Sequence, residues 1–525
     1  MRVLVADPIA PDGVDLLRRG ADVDVRTGLP RADLLAIVGQ YDALVVRSET
    51  KVTAEVIQAG RRLQVIGRAG VGVDNIDVEA ATERGVVVVN APTGNTIAAA
   101  EHAIALLLAV ARKVPQAQAS LVAGKWERSR YIGNEVRGKT LGIVGLGRIG
   151  SEVARRARGL EMQVVGFDPY VPQDFAQQLG VRIVPFDLLL SAADFISLHT
   201  PLTEATRGMI GRRELSLCKP TAYLINAARG GLVDEEALLE ALQEGRLAGA
   251  AVDVFAKEPP LNSPLLASDK VVATPHIGAL TREAQISVAL DVAEQVLAVL
   301  HGRPARYAVN MPVAQPEAYG KLRPYLGLAE ELARLCYQLV EGQLEAIEIT
   351  YWGEIGEQDT RPLRAAVIKG LLGGVTEETI NVVNAHLVAR ARGLRVVEQT
   401  NTGDLESYAS LVNLRLQTDR GAEEVAGTII RREPHVVRVG EYWLDFIPGR
   451  GHLLFCYHRD VPGVVGRVGT ILGQANINIS SLQVARQRPH GEALMVLGLD
   501  EGIPEEVQRQ ITAEPSIARS KLVRA

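Results

Sequence analysis

Three residues in the middle of this 525-residue chain have the chemistry of a proton-and-hydride reaction: Arg229, Glu258 and His276. Histidine takes and returns protons near neutrality, with an unperturbed pKa of about 6.5. A carboxylate beside it fixes the tautomer and stabilises the imidazolium, while a guanidinium offers a rigid fork matched to another carboxylate. Together they suit oxidation of a small hydroxy acid, with histidine accepting the hydroxyl proton as hydride leaves. Taken singly, each has a plainer role: Arg229 capping Asp234, or Glu258 solvating the turn before Pro259-Pro260. Each follows a short apolar run that reads as a strand, however, and in open α/β sheets ligands bind beyond the carboxyl ends of strands. That placement favours the joint reading.

A hydride needs an acceptor. The run Gly145-Leu-Gly-Arg-Ile-Gly150 lies between a strand-like segment (140–144) and a helix-like one (149–158), and a further strand (163–167) ends at Asp168. Glycines permit the tight turn and a close approach to pyrophosphate, whose charge sits against the helix amides. An acid about 20 residues on bonds ribose hydroxyls and repels a 2′-phosphate, so Gly145, Gly147, Gly150 and Asp168 predict NAD. A glycine turn in a non-binding domain, with Asp168 as a strand-end cap, is the weaker alternative.

The elements that must position these groups follow an α/β rhythm. Apolar runs at 3–6, 43–46, 65–66 and 86–89 alternate with helical segments, and a second round starts near Thr140. This predicts two parallel-sheet, Rossmann-like domains. Turn-rich stretches at 311–316 and 448–451 mark boundaries. Between them, residues 316–450 mix helical (328–340) and strand-like (411–416) patterns without an assignable motif. The length alone fits three or four domains of about 150 residues. A net charge of −5 argues against nucleic-acid partners. Three widely spaced cysteines fit a reducing compartment and offer no metal site. The N-terminus reads as a buried strand rather than a signal peptide, and the longest apolar stretch, 97–111, is shorter than a bilayer span of about 20 residues. A cytoplasmic protein without a membrane partner is expected.

Four segments carry a resemblance: Phe195-Ile-Ser-Leu-His-Thr-Pro201, Ile225-Asn-Ala-Ala-Arg-Gly-Gly-Leu-Val-Asp234, Asp253-Val-Phe-Ala-Lys-Glu-Pro-Pro260 and Pro275-His-Ile-Gly-Ala279. They resemble the signatures of the D-isomer-specific 2-hydroxyacid dehydrogenases. The resemblance implies that Arg229 orients substrate and that Glu258 and His276 do the acid–base work. It adds Arg148, Ile149, Thr200, Ala227, Asp253, His276 and Gly278 to the NAD contacts. It also implies that an NAD domain (98–279) is inserted into a discontinuous substrate domain (1–97 and 280–312). Val45-Val-Arg-Ser-Glu-Thr-Lys51 and Gly67-Arg-Ala-Gly-Val-Gly-Val-Asp-Asn75 are similar to the branch of that family acting on 3-phosphoglycerate. On that likeness Arg47 and Arg68 are phosphate partners, with Gly70, Gly72 and Asn95 at the carboxylate end. The plainer reading of Arg47 and Lys51 is solvated surface charge.

The last seventy or so residues read βαββαβ, the order of a ferredoxin-like module. His458-Arg-Asp460-Val-Pro-Gly463 and Asn476-Ile-Asn478-Ile resemble an ACT domain, the amino-acid sensor of biosynthetic enzymes. By that resemblance residues 452–525 bind L-serine through His458, Asp460 and Asn478 at an interface between subunits of a homotetramer, and 316–450 is an intervening α+β domain. Asp460 before Val-Pro-Gly is equally a turn and helix-start residue. Two other readings remain open: a reductase of glyoxylate, hydroxypyruvate or 2-oxoglutarate, and a NAD-sensing binding protein without catalysis.

Overall fold

The computed structural model describes the chain apart from residues 312–315, 374–379, 402–407, 449–450 and 525, and leaves the side chains of 316–319 undescribed. Most of the two turn-rich boundaries expected at 311–316 and 448–451 therefore lies outside the described residues.

Five parallel strands form the first sheet: Arg2–Val5, Asp22–Val25, Ala43–Val46, Val65–Arg68 and Val87–Asn90. Its central strand Ala43–Val46 is buried throughout, which is why it reads as an unbroken apolar run. The edge strand Asp22–Val25 escaped the sequence reading because its Asp-Val-Asp-Val pattern is partly exposed and carries no apolar run. Helix Arg282–Leu300 returns from far along the chain to cover this sheet. A Cβ on Gly67 would stand 2.6 Å from Val292, so the helix lies directly on the strand.

Seven parallel strands form the second sheet, between Thr140 and Ala273. Thr140–Val144 lies between Gln163–Phe167 and Phe195–Leu198, so the winding direction reverses beside it. Such a reversal opens a crevice at the strand ends, where dinucleotides bind in doubly wound folds. Helix Thr96–Arg112 buries Ala100, Ala103, Leu106, Leu107 and Val110 against this sheet. Among the described residues no helix is long and apolar enough to cross a membrane.

Beyond this pair, helices Pro316–Leu339 and Arg361–Leu372 pack with a six-stranded mixed sheet. The C-terminal module has the expected order: strand His452–Arg459, helix Val464–Gln474, strands Ile479–Arg486 and Glu492–Leu499, helix Glu505–Thr512, and strand Ile517–Arg524. Its four strands form an antiparallel sheet. One face, with Leu454, Cys456, Met495 and Leu497, is covered by its own helices. The other face, with Leu453, Phe455, Leu494 and Val496, shares a core with Val425, Val436, Val439 and Phe446 of the preceding sheet. Segments that read as two modules are thus joined by apolar packing.

The intervening region is also keyed to the first sheet. Asn381 donates from Nδ2 to the Gly85 carbonyl (2.7 Å), and Asn384 donates to that of Glu83 (3.2 Å). Val383 is buried in the first sheet's core.

Candidate active site

The first two sheets face each other across a cleft of about 790 Å³, a size suited to a small ligand. Strand Tyr223–Asn226 leads to Arg229, Gly249–Val252 to Glu258, and Val271–Ala273 to His276. All three residues line the cleft, as do Arg47, Arg68, Gly70, Gly72 and Asn95 from the opposite side. Eight residues spread over more than two hundred positions meet in one cavity.

His276 Nδ1 lies 2.8 Å from Glu258 Oε2, while Glu258 Oε1 accepts from the Phe255 amide at 3.1 Å. With the carboxylate ionised, Nδ1 carries the proton and donates it, which leaves Nε2 to exchange protons with a ligand in the cleft. The backbone of His276 is left-handed (φ 53°), a conformation a non-glycine residue holds only when its surroundings impose it. Asp253 imposes it. Its carbonyl accepts from the His276 amide at 2.9 Å, and its carboxylate accepts from the amides of Ile277 and Gly278, each at 2.8 Å. Burial pushes the Asp253 carboxyl up. Hydrogen bonds from His102, Thr274 and the two amides outweigh this and hold it below the usual range. Asp253, expected at the cofactor, also braces the histidine loop, and His102 is its partner.

Arg229 is aimed by Asn226, which the sequence reading missed. The buried Asn226 amide accepts from the Ala228 amide at 3.2 Å and donates to the Arg229 carbonyl at 3.0 Å, shaping the turn. At Gly230 a Cβ would come within 1.8 Å of the Phe255 carbonyl, so only glycine lets the arginine and glutamate loops approach. Asp234 caps its own helix through the amides of Glu236 and Ala237, so Arg229 is not spent on that cap. Across the cleft, the loop 47–51 is pinned by Asp7 and Asn75. Asp7 accepts from the Arg47 amide at 2.6 Å, and Asn75 donates to the Arg47 carbonyl at 2.7 Å.

Arg68 is the electrostatic centre. Burial and the like charges of Arg229 and Arg47 lower its pKa to about 10, with Asp74 and Asp7 opposing. Its Nε, Asn95 Oδ1 and Thr53 Oγ1 are buried polar atoms of the cleft wall without a hydrogen-bond partner among the described residues. Unpaired buried polar groups and clustered cations both cost free energy that an anionic, hydroxylated ligand relieves. The glycines of this wall have a steric role as well. A Cβ on Gly70 would lie 1.9 Å from Arg68 Nη1, and one on Gly72 would lie 2.7 Å from Arg229 Nη2. Both make room for guanidinium groups.

The dinucleotide groove has the geometry its motif requires. Gly145 is left-handed (φ 93°), and a Cβ on Gly150 would lie 2.0 Å from the Gly145 carbonyl. Gly147 precedes helix Arg148–Gly159 without a capping side chain, and a Cβ there would meet nothing. Open space beside uncapped amides fits a pyrophosphate. Asp168 accepts from the amides of Leu146 (2.8 Å) and Tyr170 (2.9 Å), so it organises the glycine loop from the position where it would meet a ribose. Thr200 and Ala227 follow the ends of neighbouring strands, Phe195–Leu198 and Tyr223–Asn226, with Ile149 in the first turn of the helix. Arg148 reaches over to the Pro92 carbonyl at 3.3 Å.

The three expected effector residues do not meet within one chain. His458 is buried with Nε2 unpartnered among the described residues, and Asp460 accepts from Arg486 Nη1 (2.9 Å) and the His490 amide (3.1 Å). Those two bonds hold the Asp460 carboxyl below its ordinary pKa. Asn478 sits beyond the other end of strand Ile479–Arg486 and donates to Asp500 at 2.6 Å. Eight extended residues separate the groups by roughly 25 Å.

Fold and site together define a dinucleotide-dependent oxidoreductase for a small anionic acid. Three family models match: the NAD binding domain of D-isomer specific 2-hydroxyacid dehydrogenases over residues 104–278, the D-3-phosphoglycerate dehydrogenase intervening domain over 321–440, and the ACT domain over 452–516. The chain is 47% identical to a D-3-phosphoglycerate dehydrogenase of Synechocystis sp., across 97% of this chain and 92% of that one. To one of Methanocaldococcus jannaschii it is 46% identical, across 98% of both. Among solved structures, a Thermus thermophilus protein superposes with a TM-score of 0.55 at 42% identity, covering 59% of this chain and all (100%) of that one. A D-lactate dehydrogenase from Aquifex aeolicus, complexed with NAD and lactic acid, gives a TM-score of 0.53 at 27% identity, over 60% of this chain and 100% of that one. The chain belongs to the D-3-phosphoglycerate dehydrogenase family, and its cofactor is NAD.

Proposed function

We infer that the chain oxidises 3-phospho-D-glycerate to 3-phosphohydroxypyruvate with NAD, the first step of phosphorylated serine synthesis. The observation that carries this reading is the meeting of Arg47, Arg68 and Arg229 with the Glu258–His276 pair in one cleft. A ligand with a phosphate at one end and a carboxylate at the other uses all three cations. Arg229 orients the carboxylate, and Arg47 and Arg68 take the phosphate. His276 Nε2 accepts the hydroxyl proton and Glu258 stabilises the resulting imidazolium, while the bound nicotinamide supplies the hydride acceptor. Gly145 to Gly150 and Asp168 hold that cofactor, with Thr200, Ala227, Asp253 and Gly278 bordering it.

We assign residues 1–97 and 280–312 to the substrate domain, 98–279 to the NAD domain, 316–450 to the intervening domain and 452–525 to the sensor. The packing of helix Arg282–Leu300 on the first sheet supports the discontinuous arrangement. L-serine is the proposed feedback effector. Because Asp460 and Asn478 stand at opposite ends of one strand, a serine site built from both requires two subunits. An exposed apolar arm (Val114, Leu121, Val122, Trp126, Ile132) also supports self-association, with a homotetramer as the assembly proposed. The three unpaired cysteines support a cytoplasmic location. The test is NADH formation from 3-phosphoglycerate with and without L-serine. Equal or better turnover of glyoxylate or 2-oxoglutarate in the reverse direction would overturn the substrate assignment.

A further inference from the structure

Asp74 is an acid inside an anion site. It lines the same cleft as Arg47, Arg68 and Arg229, where a carboxylate opposes the binding of an anionic ligand. Its Oδ2 lies 3.8 Å from Arg229 Nε. The space for this pairing is made by Gly72. The position a Cβ would occupy there is 2.6 Å from Asp74 Oδ2 and 2.7 Å from Arg229 Nη2, so acid and guanidinium share the slot of the missing side chain.

The other acids nearby are committed. Asp7 holds Arg47 and Thr50, Asp77 caps a helix through the Ala80 amide, Asp253 braces the histidine loop, and Glu258 holds His276. Asp74 has no hydrogen bond among the described residues, and its side chain is 77% exposed. A long, solvent-facing ion pair of this kind is weak and readily exchanged.

We propose that Asp74 is an internal competitor, a carboxylate that occupies Arg229 between turnovers and yields it to the carboxylate of the incoming acid. The proposal rests on the phosphoglycerate reading of the cleft and deepens it. Three guanidiniums around one cavity repel each other when no anion is bound, and a tethered carboxylate moderates that repulsion. Substrate and product carry the same two anionic groups, so a site of uncompensated arginines would hold the product as firmly as the substrate. A tethered carboxylate returning to Arg229 favours release.

The test uses the full-length protein with the substitution Asp74→Asn. KM for 3-phosphoglycerate and the inhibition constant of inorganic sulfate are expected to fall together, by about two- to fivefold, the factor matching loss of an exposed ion pair. KM for NAD should stay put, and Asp74→Glu, which retains the charge, should move both constants less. An unchanged or raised KM with a lowered kcat would overturn the proposal and make Asp74 a residue that aims Arg229. A second readout needs no turnover: sulfate should raise Tm more in Asp74→Asn than in the unsubstituted protein, and an equal rise would also overturn it. If no hydroxy acid is oxidised at all, the functional reading fails while the Tm comparison still decides the role of Asp74.

Discussion

The cleft between the first two sheets and the effector positions proposed in the C-terminal module both concern a small carboxylate-bearing ligand, yet they are built differently. In the cleft, loops from two sheets bring three arginines, a histidine and a glutamate together within one chain. In the module, Asp460 and Asn478 flank opposite ends of one strand, and Asp460 is already engaged by Arg486 and His490. The first is a pre-formed site whose unpaired atoms await a ligand. The second keeps its residues apart within one chain, so the serine site proposed for them depends on assembly. Chemistry needs fixed geometry, whereas regulation works through an interface that ligand binding tightens.

The sharpest way to break this contrast is at the proton relay. His276→Ala should lower kcat by about 10²- to 10⁴-fold, the usual contribution of a positioned general base. NAD affinity, followed by fluorescence titration, should be largely kept because the glycine loop is untouched. Near-normal turnover would mean that the cleft is assembled for something other than proton transfer.

Next in size is the phosphate end. Arg68→Ala should raise KM for 3-phosphoglycerate by about 10- to 100-fold, the cost of a charge-assisted hydrogen-bonding pair. It should matter much less for unphosphorylated D-glycerate. The pH profile adds a signed test. Binding of the phosphate requires protonated Arg68, whose pKa in the ligand-free cleft is lowered to about 10. KM should therefore climb as pH rises through about 10, since deprotonation removes the attraction. The bound anion favours the charged form, so saturating substrate should displace the change to higher pH. A flat KM across that range would show that Arg68 stays protonated throughout it.

The split effector site can be tested by mixing subunits. Asp460→Ala and Asn478→Ala should each shift the serine inhibition midpoint by at least about tenfold, within the usual range of allosteric coupling. Co-assembled from the two variant chains, a dimer regains one intact site, formed by Asp460 of one chain and Asn478 of the other. Partial recovery of inhibition in the mixture is expected. No recovery would mean that serine binds within one chain or elsewhere.

How much of this was legible in the sequence follows the range of the interactions. The trio and the glycine fingerprint were readable because each is a local segment whose residue types state their chemistry. The parallel sheets were readable from buried apolar runs, whereas the edge strand Asp22–Val25 was not. Asn226, Asp7 and Asn75 were missed because their work is done through partners that residue identity does not name. Asp7, for instance, bonds Thr50, 43 positions away. His102 belongs to none of the motifs, yet it packs against the carboxylate that braces His276. The core shared by the last two sheets left a mark that does not name its partner: strand His452–Arg459 is apolar on both faces, and its helices explain only one.

The smallest expected effect lies at the junction between the two halves. Loop residues Asn381 to Asn384 are a described contact by which the intervening region grips the substrate side. Asn381 bonds the Gly85 carbonyl, Asn384 bonds that of Glu83, and Val383 is buried in the first sheet's core. Gly85 is left-handed (φ 70°), and a Cβ on it would approach the Asn381 amide to 2.7 Å, so turn and side chain fit closely. These carbonyls end helix Val78–Glu83, which directly follows the loop carrying Gly70, Gly72 and Asp74. The contact thus lies one short helix away from the wall of the cleft. Asn381→Ala removes two partly buried hydrogen bonds, one to the Gly85 carbonyl and one from the Val383 amide, and should cost about 2 kcal/mol of stability, read as a drop in Tm. KM for 3-phosphoglycerate should change less than about twofold, because no ligand contact is lost. If the grip transmits regulation, the serine midpoint should move by more than KM does. Equal, negligible changes in both would make the loop a structural fastening and leave the signal to travel between subunits.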